Sequence, residues 1–294
     1  MRILSFTAFA VVAGFSICQA ETTDSLVSKT SIDASLTLSQ STYSDNWSGG
    51  DAGNLAWIAI LNLGRQIYHD STWHWRNTLN LAYGQTHSQD PETNDWRKPT
   101  KSTDKIDLES LLRYIKWTTL PPYASFRAQS QFENAGDLDR KLYLTPILLT
   151  EAAGLSRQIY KKDADEILTR SGFALRQLIE RKYVDDIKTT ETSTDGGIEW
   201  VTDITYKIPG SSIGYKSRLG AFKALYYSKS DEVKGMENED YWKAVDVNWE
   251  NTFSAQVSKY IGVALYLQWL YDKEVDLAGQ FKQTLSIGFS WKNL

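Results

Sequence analysis

The chain has 294 residues with 32 basic and 36 acidic side chains, three histidines and one cysteine. A net charge of −4 leaves no basic surplus to displace phosphate counterions, which argues against a nucleic-acid partner. The single cysteine, Cys18, excludes an internal disulfide and any cysteine-pair metal site.

The first residues follow the pattern of a secretory signal peptide. Arg2 precedes an apolar run from Phe6 to Ile17, and Cys18-Gln19-Ala20 leads into the polar Glu21-Thr22-Thr23-Asp24, so cleavage is expected after Ala20. Residues 21–294 then form the exported domain, without a thiol and one charge more negative than the full chain. No later stretch reaches the roughly 18 apolar residues of a transmembrane helix. A membrane location therefore requires a closed β-barrel, the other structure that satisfies its own backbone in hydrocarbon.

Period-2 alternation is the dominant signal, and it assigns successive side chains to opposite faces of a strand. In residues 32–39, Ile32, Ala34, Leu36 and Leu38 alternate with Asp33, Ser35, Thr37 and Ser39. In 73–84, Trp73, Trp75, Leu79, Leu81 and Tyr83 alternate with His74, Arg76, Thr78, Asn80, Ala82 and Gly84. Ten further strands are expected near 53–65, 104–117, 123–132, 147–159, 166–180, 197–207, 212–227, 242–257, 261–271 and 281–291. The connections alternate in length. Long polar ones fall at 42–52, 86–103, 133–146, 181–196, 228–241 and 272–280; short ones fall near 66–72, 118–122, 160–165, 208–211 and 258–260. The expected fold is all-β, a closed antiparallel up-and-down transmembrane barrel of about twelve strands, with long loops outside and both termini in the periplasm. An aromatic content of 13%, with 11 Trp and 16 Tyr, suits rings at two membrane interfaces. A soluble β-sandwich is the alternative at the level of fold.

If the apolar face meets lipid, the other face lines the lumen. Parity then places inward Arg76, Asp107, Glu109, Arg113, Arg127, Arg170, Arg176, Glu199, Asp203, Lys216 and Arg218, together with Asp33, Asp246 and Glu250. Fixed charges of both signs suit either a narrow solute-selecting pore or an interior filled by ion pairs. Catalysis has few candidates. His69-Asp70-Ser71 falls in a short turn, and His87-Ser88, near Asp90 and Asp95, lacks a nucleophile elbow. No metal motif occurs; the acidic loop of Asp231, Glu232, Glu237, Glu239 and Asp240 is read as a solvated segment. Arg97, Lys98 and Lys101 are candidates for contacts to lipid phosphates. No catalytic residue, metal or cofactor is assigned.

Several segments resemble an uncharacterised family of bacterial outer-membrane barrels. They are Asn46-Trp47-Ser48-Gly49-Gly50, the strand from Trp75 to Gly84 with the pattern W-x-N-x-L-x-L-x-Y-G, Ser102-Thr103-Asp104-Lys105, Tyr123-Ala124-Ser125 and Leu149-Thr150-Glu151. The resemblance implies the outer membrane of a Gram-negative bacterium and a barrel architecture, and it supplies no reaction. By strict parity Asn77 of that strand lies on the lipid side. Phe281, Leu285, Ile287, Phe289 and Trp291 also resemble the terminal strand read by the outer-membrane assembly machinery, although the chain continues to Leu294. Expected partners are that machinery, outer-membrane lipid and lipopolysaccharide. Three roles follow: a passive channel or small-ligand transporter with a charged lumen, a plugged structural or surface-interaction barrel, and an outer-membrane lipid hydrolase.

Overall fold

The computed structural model describes residues 26–43, 52–90, 92–93, 95–116, 119–134 and 140–293. The expected signal peptide and the segment Asn46 to Gly50 lie outside the described residues. The strands are β1 (Leu26–Ser41), β2 (Asn54–His69), β3 (Trp73–Ser88), β4 (Thr100–Tyr114), β5 (Pro122–Ser130), β6 (Glu133–Asn134), β7 (Leu142–Tyr143), β8 (Ile147–Lys162), β9 (Asp165–Val184), β10 (Ile187–Lys207), β11 (Ile213–Tyr227), β12 (Val245–Gln256), β13 (Ile261–Tyr271) and β14 (Gln280–Asn293). All except β6 and β7 join in one closed antiparallel barrel in which each strand pairs with its neighbours in sequence and β14 returns to β1. The two-residue strands β6 and β7 form a separate ladder within the connection from β5 to β8.

Alternation sets which face each residue takes. Leu36, Leu38, Phe173, Leu175, Ile198, Trp200, Trp249, Leu285, Ile287 and Phe289 are exposed on the outward face. The buried apolar cluster of Leu111, Tyr123, Ala152, Leu168, Ala174, Phe222 and Ala224 occupies the inward face of β4, β5, β8, β9, β10-facing β11 and its neighbours. The apolar rows are therefore not packed on a second sheet. One exception is Glu151, exposed on the outward face in register with Phe126 and Leu175.

In the W-x-N-x-L-x-L-x-Y-G strand, Arg76 points inward to Asp203 and Asn77 points outward. Asn77 is buried there, in register with Arg65 and Ser110, and Ser110 Oγ also accepts the Trp75 indole N–H at 2.8 Å. This polar patch sits close to the short-turn end of the wall. Gly84 ends the motif at a β-bulge, where a Cβ would lie 2.7 Å from the Trp57 carbonyl oxygen, so no larger residue fits without backbone movement.

One expected loop is absent. Residues 181–196 are strand, not a long connection: β9 and β10 run 20 and 21 residues and meet at Asp185-Asp186, both at positive φ. Beyond the last partners of β9 on β8 and of β10 on β11, Glu180–Val184 and Ile187–Thr194 continue as a two-stranded ribbon. Five residues at about 3.3 Å each carry it roughly 17 Å past the rim. Lys182 braces it through Glu191 at 2.8 Å.

Candidate functional site: the barrel lumen

The lumen is flattened. β4 and β12 stand opposite each other in the ring, with five strands between them either way. A round ring of twelve strands spaced about 4.8 Å apart is at least roughly 18 Å across, more than a lysine and a glutamate span end to end. Yet Lys105 of β4 meets Glu250 of β12 at 2.6 Å. Arg218 of β11 likewise reaches across to Glu109 of β4 with two hydrogen bonds of 2.8 and 2.7 Å.

These pairs belong to one network at the centre of the barrel. Glu109 also accepts from Arg170. Asp203 takes Arg76 at 2.8 Å, Arg170 at 3.1 Å and Arg218 at 3.4 Å. Asp107 binds Arg127 through both carboxylate oxygens, at 2.8 and 2.7 Å. Nearer the long loops, Arg176 bridges Asp195 at 3.3 Å and Asp246 at 2.7 Å, with its guanidinium 3.7 Å over the Phe222 ring. Burial of this kind demands pairing, because an isolated charge without water carries a large desolvation cost.

The expected inward residues therefore divide. Arg76, Asp107, Glu109, Arg127, Arg170, Arg176, Asp203 and Arg218 come together in ion pairs, some across the lumen, such as Arg218–Glu109, and some between adjacent strands, such as Arg127–Asp107. Arg113 is buried near the short-turn end, stacked in register between His74 and Tyr123, and makes no ion pair among the described residues. Glu199 is half-buried between Gly172 and Phe222, and Lys216 is exposed beside Thr205 and Thr252; neither joins an ion pair among the described residues. Lys105 and Glu250 complete the brace; Lys105 shares the parity of Asp107 and Glu109, so the same alternation places it inward.

The opposite half of the wall has a different composition. Inward positions on β13, β14, β1, β2 and β3 are mostly short: Gly262, Ala264, Thr284, Ser286, Gly288, Ser35, Thr37, Asn62, Gly64, Thr78, Asn80 and Ala82. All of these are half-exposed. On β4 to β11 the inward Asp107, Glu109, Leu111, Arg113, Tyr123, Leu168, Arg170, Val201 and Phe222 are buried. One lobe is filled and the other is lined mostly by small residues, with Ile58, Ile60 and Tyr266 among the larger ones.

The remaining candidates have close neighbours of their own. His69 Nδ1 lies 3.2 Å from Asp70, His74 Nε2 3.3 Å from Gln66 Oε1, and the His87 ring packs on Trp96. Among the described residues no histidine hydrogen bonds to a serine or threonine hydroxyl, and no group of three acidic, histidine or cysteine side chains is arranged to hold a metal ion. In the acidic loop, Glu239 accepts the Gly235 N–H at 2.9 Å and Asp240 pairs with Lys243. Lys101 donates to Asp104, Gln131 and the Glu133 carbonyl, and Arg97 pairs with Asp90.

Residues 38–135, about a third of the chain, match a family described as Protein of unknown function (DUF3078). No curated protein matches the chain in sequence. Among solved structures, the translocator domain of the autotransporter NalP from Neisseria meningitidis aligns over 92% of this chain and 90% of its own, with 8% identity and a TM-score of 0.36. An outer membrane channel from Pseudomonas putida F1 aligns over 93% and 96%, with 12% identity and a TM-score of 0.39.

Proposed function

We propose that the protein is an outer-membrane barrel that works as a narrow passive channel for small solutes, conducting along the lobe between β13 and β3. The membrane placement rests on the exposed apolar rows of the outward face, whose burial in hydrocarbon removes a surface that water would oppose. The long connections then face outward and the short turns face the periplasm. One observation carries the channel reading: mostly short, half-exposed side chains line one side of the lumen while the other side is locked by ion pairs. Fixed charge flanks this path and sets which ions pass.

The experiment is single-channel recording in planar bilayers on the parent protein and on Ser35→Trp and Ser286→Trp, which put bulk into the small-residue lobe. A conducting parent whose current falls at least twofold in either variant supports the reading. Electrical silence of a correctly folded parent removes it and favours a plugged structural barrel, the role that the buried Glu109 and Arg170 suit best.

A further inference from the structure

The barrel is closed unevenly. The β1–β14 ladder pairs only Ile32 to Leu36 with Asn293 to Phe289, five residue pairs, whereas the next shortest seams, on either side of β5, have eight. Continuing the register toward the long loops sets Ser39 against Ser286 and Leu38 against Ile287, and neither pair is in the ladder. Among the described residues, β1 above Leu36 is in a ladder only with β2, and β14 above Phe289 only with β13. The strands still touch one step beyond the ladder, at Gly288: a Cβ there would lie 2.3 Å from the Leu36 carbonyl oxygen and 2.8 Å from the Thr37 Cα.

Two unpaired strand edges at this depth have a physical consequence. In hydrocarbon each unsatisfied N–H or C=O costs several kcal/mol, so such edges are stable only where water or protein reaches them. The lumen supplies the water, because the inward residues beside the gap, Ser39 and Lys282, are exposed and Thr284 and Ser286 are half-exposed. On the other side stand Leu38, Leu285 and Ile287, exposed at 65%, 62% and 57%. A slot with a wetted polar rim inside and an apolar rim outside matches a molecule with one polar end and one hydrocarbon end. The charge of the polar end follows from Lys282. Its ammonium makes one hydrogen bond, to Thr103 Oγ1 at 3.2 Å, and no ion pair among the described residues, unlike Lys105, Arg127, Arg170, Arg176 and Arg218.

We propose that the upper β1–β14 seam is a lateral exit through which a single-chain anionic amphiphile passes between the lumen and the half of the bilayer nearest the long loops. It deepens the channel reading and rests on it for access from the other end of the lumen. No covalent step is involved.

Residues 21–294 contain no cysteine, so introduced thiols stand alone. In Ser35→Cys/Ser290→Cys the pair lies within the ladder; in Ser39→Cys/Ser286→Cys it spans the gap. Under the same mild oxidant the ladder pair is expected to form its disulfide at least tenfold faster than the gap pair. Equal rates overturn the open seam. The gap pair is then bridged with a flexible bismaleimide in proteoliposomes, and transfer of NBD-labelled lysophosphatidylglycerol across the vesicle wall is followed by extraction with external albumin. Bridging is expected to lower transfer at least tenfold relative to the single variant Ser39→Cys carrying the same reagent; the unbridged variant is its own folding control. Transfer that bridging leaves unchanged overturns the exit. Loss of conductance in every form, with bridge-sensitive transfer retained, removes the ion channel and keeps the exit.

Discussion

Glu109→Gln tests whether the central network is dry. The substitution keeps the shape and one carbonyl acceptor, and removes the charge shared by Arg170 and Arg218. Three guanidiniums, those of Arg76, Arg170 and Arg218, are left with Asp203 alone. The Glu109 and Arg170 side chains are 5% and 1% exposed, so water does not replace the lost partner. Breaking a buried pair on one side costs about 3–5 kcal/mol, and the retained amide oxygen places this case near about 3 kcal/mol. That is roughly a hundredfold in the folding constant. Urea unfolding in detergent micelles, followed by tryptophan fluorescence, reads it directly. Adding Arg218→Met should recover part of the loss, since the double variant no longer holds that unpaired cation. A Glu109→Gln loss below about 0.5 kcal/mol, the range of an ordinary surface substitution, refutes the argument.

Other outcomes follow from the same geometry. Glu151→Leu removes a carboxylate from the outward face and is expected to stabilise the barrel by about 1 kcal/mol in lipid, less than a basic residue at that depth would give; a loss of stability means that this face does not meet hydrocarbon. In the β13–β14 loop, removal of water around the carboxyl and then the charges of Asp195, Asp272 and Asp246 push Glu274 up to about 7 from its ordinary 4.5. A raised acid stabilises the folded loop fully below pH 4.5 and loses that contribution as pH rises through about 7. Hydrogen-exchange protection of 272–279, corrected for intrinsic rate, should therefore fall between about pH 4.5 and 7 in the parent, and Glu274→Gln should flatten it; equal slopes in both argue against this. Unheated and boiled samples on a detergent gel should migrate differently, as a closed barrel does, and identical mobility refutes the membrane barrel.

The twelve barrel strands were legible because each has one apolar face and one polar face, as in Ile32-Asp33-Ala34-Ser35. The same cue fails at Lys188-Thr189-Thr190-Glu191-Thr192, which is polar on both faces, and there the ribbon was mistaken for a loop. Parity also grouped the inward charges but not their partners. Glu109 and Arg218 are 109 positions apart, and only the flattened section brings them together. Asn77 broke the pattern in sequence because its register neighbours, Arg65 and Ser110, are invisible until the strands pair. The short seam left no local trace at all: nothing in Thr37 to Ser41 distinguishes an edge from a paired strand.

The uneven ladder also bears on how the chain assembles. β9 and β10 are joined by a two-residue turn and share the longest run of pairs, so they meet across almost no intervening chain and pair early. β1 and β14 must find each other across nearly the whole polypeptide for the smallest return in hydrogen bonds. Ring closure thus gains the fewest backbone pairs in the barrel across the largest separation along the chain.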